Sequence, residues 1–258
     1  MADTELIICV FACATVQKYK DEILKIEETW GKRATEKGVK VLYFLGEEPT
    51  DLIDEEKYIY LKNVGNDYES ASHKQNLGLK YIYENYNAEF VFTCGTDTYV
   101  NVDKMMAYIK TFDRSKNLYI GGDGGYREVG CENIYYHSGG GGFILSKSVL
   151  KSLHPKLQNL QNEWENICHH NDVSYLVTAC DVLIGYIVKD IENIEIVEKM
   201  DSFKGCNYKG YAYDNTLACC VDKIKISDII SCHYMTLGDF DEFTSILGNN
   251  NYFIVCNE

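Results

Sequence analysis

Apolar and polar positions alternate along this chain in two different rhythms. Residues 6–14 form an unbroken apolar run with β-branched members, the pattern of a strand buried on both faces. Residues 20–37 follow with Ile23, Ile26 and Trp30 at helical spacing and stop before Gly38, which predicts an amphipathic helix. Residues 39–45 predict a second buried strand and residues 57–61 a short third one. Residues 67–86 predict a helix whose apolar face carries Leu77, Leu79, Tyr81 and Ile82. Residues 89–94 predict another buried strand and residues 103–111 another helix. Strands that alternate with helices in this way predict an α/β fold with a largely parallel sheet.

The second half is less regular. Residues 118–121 predict a strand that feeds a glycine-rich turn at 121–125. Residues 135–146 carry Gly139-Gly140-Gly141-Gly142 between apolar positions. Helices are predicted over 148–153, 157–169, 181–189 and 238–247, and strands over 194–197 and 226–232. No internal repeat or break in composition divides the chain, so residues 1–258 read as one domain.

Charge narrows the function classes. The 25 Lys and Arg residues against 39 Asp and Glu residues leave a formal net charge of −14. Such a surface lacks the basic footprint of a nucleic-acid or anionic-membrane binder. It leaves room for an anionic small molecule, because a bound divalent cation reverses the local field. The run 6–14 is too short to span a bilayer, which takes roughly 20 residues. Asp3 and Glu5 stand where a signal peptide would carry basic residues, so a cytoplasmic location is expected, with the secretory pathway as the alternative. The 11 cysteines include no CxxC pair, which reads as buried reduced thiols; a bridge from Cys206 to Cys219 or Cys220 is the alternative.

Four segments carry candidate chemistry. Gly95-Thr96-Asp97-Thr98-Tyr99-Val100-Asn101 follows a buried strand, where open α/β sheets bind ligands. A carboxylate there can hold a hard cation, although Thr98 or Asn101 as a helix cap also explains a polar turn. The four glycines at 139–142 suit a backbone that passes close to something bulky, or a tight turn. Asp181, in Cys180-Asp181-Val182-Leu183-Ile184-Gly185, is either a helix cap or a candidate general base. His233 follows a buried strand and alone reads as a core histidine or a ligand. The phosphate-loop pattern GxxxxGK[ST] is missing.

In this order and spacing the segments resemble the Fringe-like β-1,3-glycosyltransferases. Thr29-Trp30-Gly31 is similar to that family's Thr-Trp-Gly near the end of the first helix. Lys74 stands where the family has a lysine before the metal motif. The segment 95–101 resembles its triple-acid motif, and 139–143 with Ser146 resembles its Gly-rich motif. Cys180 to Gly185 and Ser231-Cys232-His233 resemble its late motifs. The resemblance implies a GT-A fold: a Rossmann-like nucleotide half, about residues 1–115, fused to an acceptor half, about 116–258, in one continuous mixed sheet. It implies inverting transfer of a sugar from a UDP-sugar to a hydroxyl of a glycan or other acceptor, with Mn²⁺ or another divalent cation. Asp97 and His233 match the metal ligands and Asp181 the catalytic base. Thr96, Asp97, Lys74, Gly140 and Gly141 match the donor-binding positions.

Departures from the pattern keep a second reading open. Gly95 and Thr96 replace two acids of the triple, Cys180 replaces an acid before the base, and Glu22 and Glu27 stand where many members carry arginines. A degenerate member that binds glycan or nucleotide without transfer is the alternative, and an unrelated α/β nucleotide-binding protein is a third. Trp164, Tyr135 and Tyr136 are candidates for stacking on a sugar face or for core packing.

Overall fold

The computed structural model describes residues 3–47, 51–211 and 226–248. Its frame is a seven-stranded mixed sheet. In chain order the strands of that sheet are β1 (Asp3–Phe11), β2 (Lys40–Leu45), β3 (Tyr58–Tyr60), β4 (Asn87–Cys94), β6 (Asn117–Gly121), β9 (Phe143–Ser146) and β10 (Ile194–Glu198). Their spatial order is β10-β6-β9-β4-β1-β2-β3. Only β9 runs against its neighbours, β4 and β6. The parallel pairings of β1 with β2 and β4 bring their carboxyl ends to one edge.

Both faces of the sheet are covered, and β1 shows why. Its side chains alternate. Leu6, Ile8 and Val10 pack with Ile23, Ile26 and Trp30 on one face. Ile7 and Cys9 pack with Leu79, Ile82 and Leu183 on the other. The first face is covered by α1 (Gln17–Glu28), α2 (Trp30–Glu36), α4 (Val102–Ile109) and α8 (Leu237–Gly248). The second is covered by α3 (Ala71–Asn85), α5 (Lys147–Leu157), α6 (Leu160–His170) and α7 (Cys180–Val188).

Several boundaries differ from expectation, each for a local reason. The helix expected over 20–37 breaks at Thr29, whose ψ of −109° is not helical. The break turns the Trp30 indole N–H toward the Thr98 carbonyl, to which it donates at 3.2 Å. Residues 67–70 form a capping turn, in which Asp67 accepts the Ser70 N–H at 2.7 Å, and α3 starts after it. The hairpin of β7 (Gly125–Val129) and β8 (Glu132–Tyr136) escaped the hydrophobic pattern because β7 is largely exposed and polar. Of the strand expected over 226–232, only Ser231–Cys232 is extended, and residues 226–228 are a 3₁₀ turn.

That short strand, β12 (Ser231–Cys232), has an outsized role. It pairs with β5 (Tyr99–Val100) and β11 (Phe203–Lys204) in a separate three-stranded sheet. Antiparallel pairing sets Cys232 opposite Tyr99. It thereby carries the residue after β12 to the loop after β4.

No disulfide joins two described cysteines. The alternative partners of Cys206, Cys219 and Cys220, lie outside the described residues. Among the described residues no helix is long and apolar enough to cross a membrane.

Gly142 fixes how β9 enters the sheet. It adopts φ +76°, and a Cβ there would run into the Phe92 ring. Gly142→Ala is expected to lower the free energy of unfolding by about 2–4 kcal/mol, from left-handed strain and overpacking together. Urea denaturation of the two proteins measures it.

Candidate functional site

The carboxyl-terminal edge of the large sheet opens into a cleft of about 520 Å³. Its floor holds Ala12 and Cys13 after β1, and Gly95, Thr96 and Asp97 after β4. Lys74 of α3, Gly139 and Gly140 before β9, Asp181 of α7 and His233 after β12 complete the lining used below. Among the residues matched from the sequence to donor-binding, metal and base positions, Gly141 alone is not on this surface. It is buried behind its neighbours, where a Cβ would meet the Lys204 carbonyl oxygen at 3.0 Å, and its own carbonyl accepts the Ser231 hydroxyl.

Asp97 and His233 meet there. His233 Nε2 lies 3.2 Å from Asp97 Oδ1. The small sheet explains the encounter: the Met235 N–H donates to the Asp97 carbonyl at 3.0 Å and the His233 N–H to the Lys204 carbonyl at 3.2 Å. Tyr234, held at φ +52°, stacks its ring 3.7 Å from that of His233. Burial raises the Asp97 carboxyl, but His233, Lys18 and a backbone N–H together outweigh burial and hold the group below the usual aspartate value.

The pair fits a divalent cation. Two adjacent donors about 2.1 Å from one ion lie roughly 3 Å apart, and this carboxylate and imidazole already stand at that separation. Among the described residues no group of three or more His, Cys, Asp or Glu side chains could hold a metal. Were a cation held at this pair, the rest of its coordination sphere would fall to the bound molecule and water.

Asp181 faces the same cleft. It is not the helix cap: α7 begins at Cys180, after Ala179. Its Oδ2 accepts the Gly139 N–H and its Oδ1 the Val182 N–H, each at 2.9 Å. Gln75 of α3 donates to the Cys180 carbonyl at 3.0 Å and Ser72 to the Thr178 carbonyl at 3.2 Å, which pins the start of α7. Burial raises the Asp181 carboxyl above its ordinary value against those two hydrogen bonds. Only a glycine fits between the two chemical centres, because a Cβ on Gly140 would collide with the His233 ring. The Thr98 hydroxyl holds that turn by donating to the Gly140 carbonyl at 2.9 Å.

Lys74 is 2% exposed, and its ammonium makes no hydrogen bond or ion pair with a described residue. Burial lowers its ammonium below the usual lysine value, and Cys13 and Asp67 only partly oppose that. A largely buried ammonium on a cleft wall with no partner among the described residues could take an anion.

The remaining candidates divide cleanly. Asn101 is a cap, accepting the Lys104 N–H at 3.2 Å. Trp164 is core, its indole N–H donating to the Leu176 carbonyl at 2.8 Å. Tyr135 and Tyr136 do not line the cleft; the Tyr135 hydroxyl donates to Glu198 at 2.9 Å. Sequence reasoning missed Lys18, Tyr19, Tyr68 and Tyr234 on the cleft. Lys18 and Tyr19 lie in the first turn of α1, Tyr68 lies in the turn before α3, and Tyr234 adjoins His233; position after a predicted strand was the available signal for Lys18, Tyr19 and Tyr234.

The buried cation has a measurable consequence. Lys74→Met is expected to raise stability at pH 7 by about 1–3 kcal/mol, the desolvation cost of a mostly buried ammonium. The folded-state value of Lys74 is depressed, so its penalty is present while the lysine is charged in both states and fades as pH rises toward the unfolded value. Urea unfolding of both proteins at pH 7 and pH 10 checks the difference and its decline.

No curated protein matches the chain. Among solved structures, it is similar to a glycosyltransferase involved in the glycosylation of the major capsid of PBCV-1, at 15% identity and a TM-score of 0.53, covering 93% of this chain and 99% of that one. It is similar to the glycosyltransferase GlyE of Streptococcus pneumoniae TIGR4 at 12% identity and a TM-score of 0.54, covering 96% of this chain and 63% of that one. It is also similar to the galactosyltransferase LgtC, solved with donor and acceptor sugar analogues, at 10% identity and a TM-score of 0.51, covering 100% of this chain and 98% of that one. At these identities the likeness establishes the fold, GT-A. The Fringe-like family profile matches residues 4–204, which takes in Lys74, Asp97, the glycine turn and Asp181 and stops short of His233. With most of its length inside that match, the chain belongs to the Fringe-like family and is a glycosyltransferase.

Proposed function

We propose that this glycosyltransferase moves a sugar from a UDP-sugar to an acceptor hydroxyl with inversion, forming a β-1,3-type linkage as the family resemblance implies. The observation that carries the reading is that Asp181 faces the same cleft as the Asp97–His233 pair and Lys74. The donor diphosphate lies beside Lys74, whose unpaired ammonium offsets phosphate charge. Asp97 and His233 hold a divalent cation, Mn²⁺ by the mixed oxygen and nitrogen donor set. Bound there, it would neutralise charge on the departing diphosphate. Residues 1–115 then act as the donor half and residues 116–258 as the acceptor half, with His233 returning to the donor side.

The reaction is a single displacement. The acceptor oxygen bonds to the anomeric carbon as the bond from that carbon to the phosphate oxygen breaks, and its electron pair leaves with UDP. The acceptor proton passes to an Asp181 carboxylate oxygen. The N–H groups of Gly139 and Val182 hold that carboxylate in place. Burial makes it a stronger base than a solvated aspartate.

Two outcomes test the assignment. Asp181→Asn is expected to cut transfer, read as UDP release from a panel of UDP-sugars, by about 10²-fold or more while UDP affinity stays within a few-fold. Turnover within a few-fold of the parent removes Asp181 from the mechanism and favours a protein that binds without transfer. The base works ionised, so the rate falls as pH drops through the Asp181 value. Burial raises that value, so the acidic limb of the pH–rate profile is expected above the ordinary aspartate range of about 3.9. A limb that survives unchanged in the residual activity of Asp181→Asn contradicts the assignment.

A further inference from the structure

The loop after β4 keeps a single carboxylate of its own, Asp97, but a second one reaches it from α1. Glu22 is 4% exposed on the inward face of that helix, beside Ile23 and Ile26. Its Oε2 accepts the hydroxyl proton of Thr96. Its Oε1 lies 3.7 Å from the ammonium of Lys18, one turn earlier and 69% exposed. Thr96 itself is 4% exposed and forms part of the cleft floor. An apolar residue at position 22 would complete the buried face at lower cost, because a carboxylate out of water is expensive when its cation remains in solvent. Burial raises the Glu22 carboxyl, and nearby Asp97 pushes it the same way.

A threonine hydroxyl has one proton and two lone pairs. With its proton committed to Glu22, Thr96 meets the cleft only as an acceptor. We propose that Glu22 is a positioning residue that makes Thr96 an obligate hydrogen-bond acceptor for a hydroxyl of the nucleotide-sugar donor. Phosphate oxygens and uracil carbonyls, which only accept, are turned away from this point. The hydroxyls that fit belong to the ribose or to the transferred sugar. This rests on the donor reading given above. Thr96 and Glu22 together thus present the polarity of a carboxylate at a position that has none.

Calorimetric titration of the intact chain with UDP, 2′-deoxy-UDP, 3′-deoxy-UDP and a UDP-sugar tests it. Thr96→Val keeps shape and removes the acceptor. It is expected to weaken the hydroxyl-bearing ligand about two- to tenfold, the worth of one neutral hydrogen bond, and to leave the analogue lacking that hydroxyl unchanged. Glu22→Leu, which frees the Thr96 proton but leaves its lone pairs able to accept, is expected to give the same pattern at a smaller magnitude. The double variant is expected to lose no more than Thr96→Val alone, since both act through one contact. A loss seen with UDP and spared in one deoxy analogue assigns the ribose; a loss seen only with the UDP-sugar assigns the transferred sugar. Thr96→Asp in the Glu22→Leu background is expected to recover the discrimination. Unchanged affinities in Thr96→Val, or losses that add in the double variant, overturn the proposal while leaving the donor reading intact. A parent protein that binds neither UDP nor a UDP-sugar overturns both.

Discussion

The site depends on a stretch of backbone without side chains passing between two reactive groups. At Gly139 and Gly140 the chain runs with the His233 ring on one side and the Asp181 carboxylate on the other. The contact works twice over. It seats His233 against the turn, and it supplies the N–H that orients Asp181. Any side chain at Gly140 would displace the imidazole and so disturb the placement of the Asp97–His233 pair beside Asp181. Gly142, in the left-handed region over Phe92, then returns the chain to the large sheet.

Around this passage the architecture works by convergence. Parallel strands deliver the loops after β1 and β4 to one edge, as open α/β sheets do. The three-stranded sheet brings β12 back to β5, and with it His233 to Asp97. Three ionisable groups there are buried at a cost: Lys74 with its ammonium unpaired among the described residues, Asp181 with its value raised, and Glu22 behind Thr96. Two hydrophobic layers on either side of the sheet offset that cost. Electrostatic penalties concentrated at one cleft, in an otherwise conventionally packed molecule, are characteristic of a site prepared for a ligand.

Much of this was legible in the residue pattern. The strands β1, β2 and β4 each contain a run of consecutive apolar residues, and such runs announce a doubly covered sheet. Asp97, Asp181, Lys74 and His233 were identified by motif, and the fold brings all four to one cleft. The hairpin β7–β8 was illegible because an exposed strand carries no apolar periodicity. The break at Thr29 was hidden because its cause, Trp30 reaching Thr98, is tertiary. Glu22 looked like a departure from a family pattern, and only the folded helix shows that it serves Thr96. A pairing between a helix and a loop so distant in sequence leaves no local signal.

The central claim is that Asp97 and His233 jointly hold a cation that the donor diphosphate shares. The most direct measurement is the affinity of the intact chain for UDP, with Mn²⁺ and with EDTA, in the parent and in Asp97→Asn. Metal is predicted to tighten UDP binding by about tenfold or more in the parent, on the order of one charge-assisted contact, and to have little effect in the variant. Equal UDP affinity with Mn²⁺ and with EDTA in the parent would contradict the account.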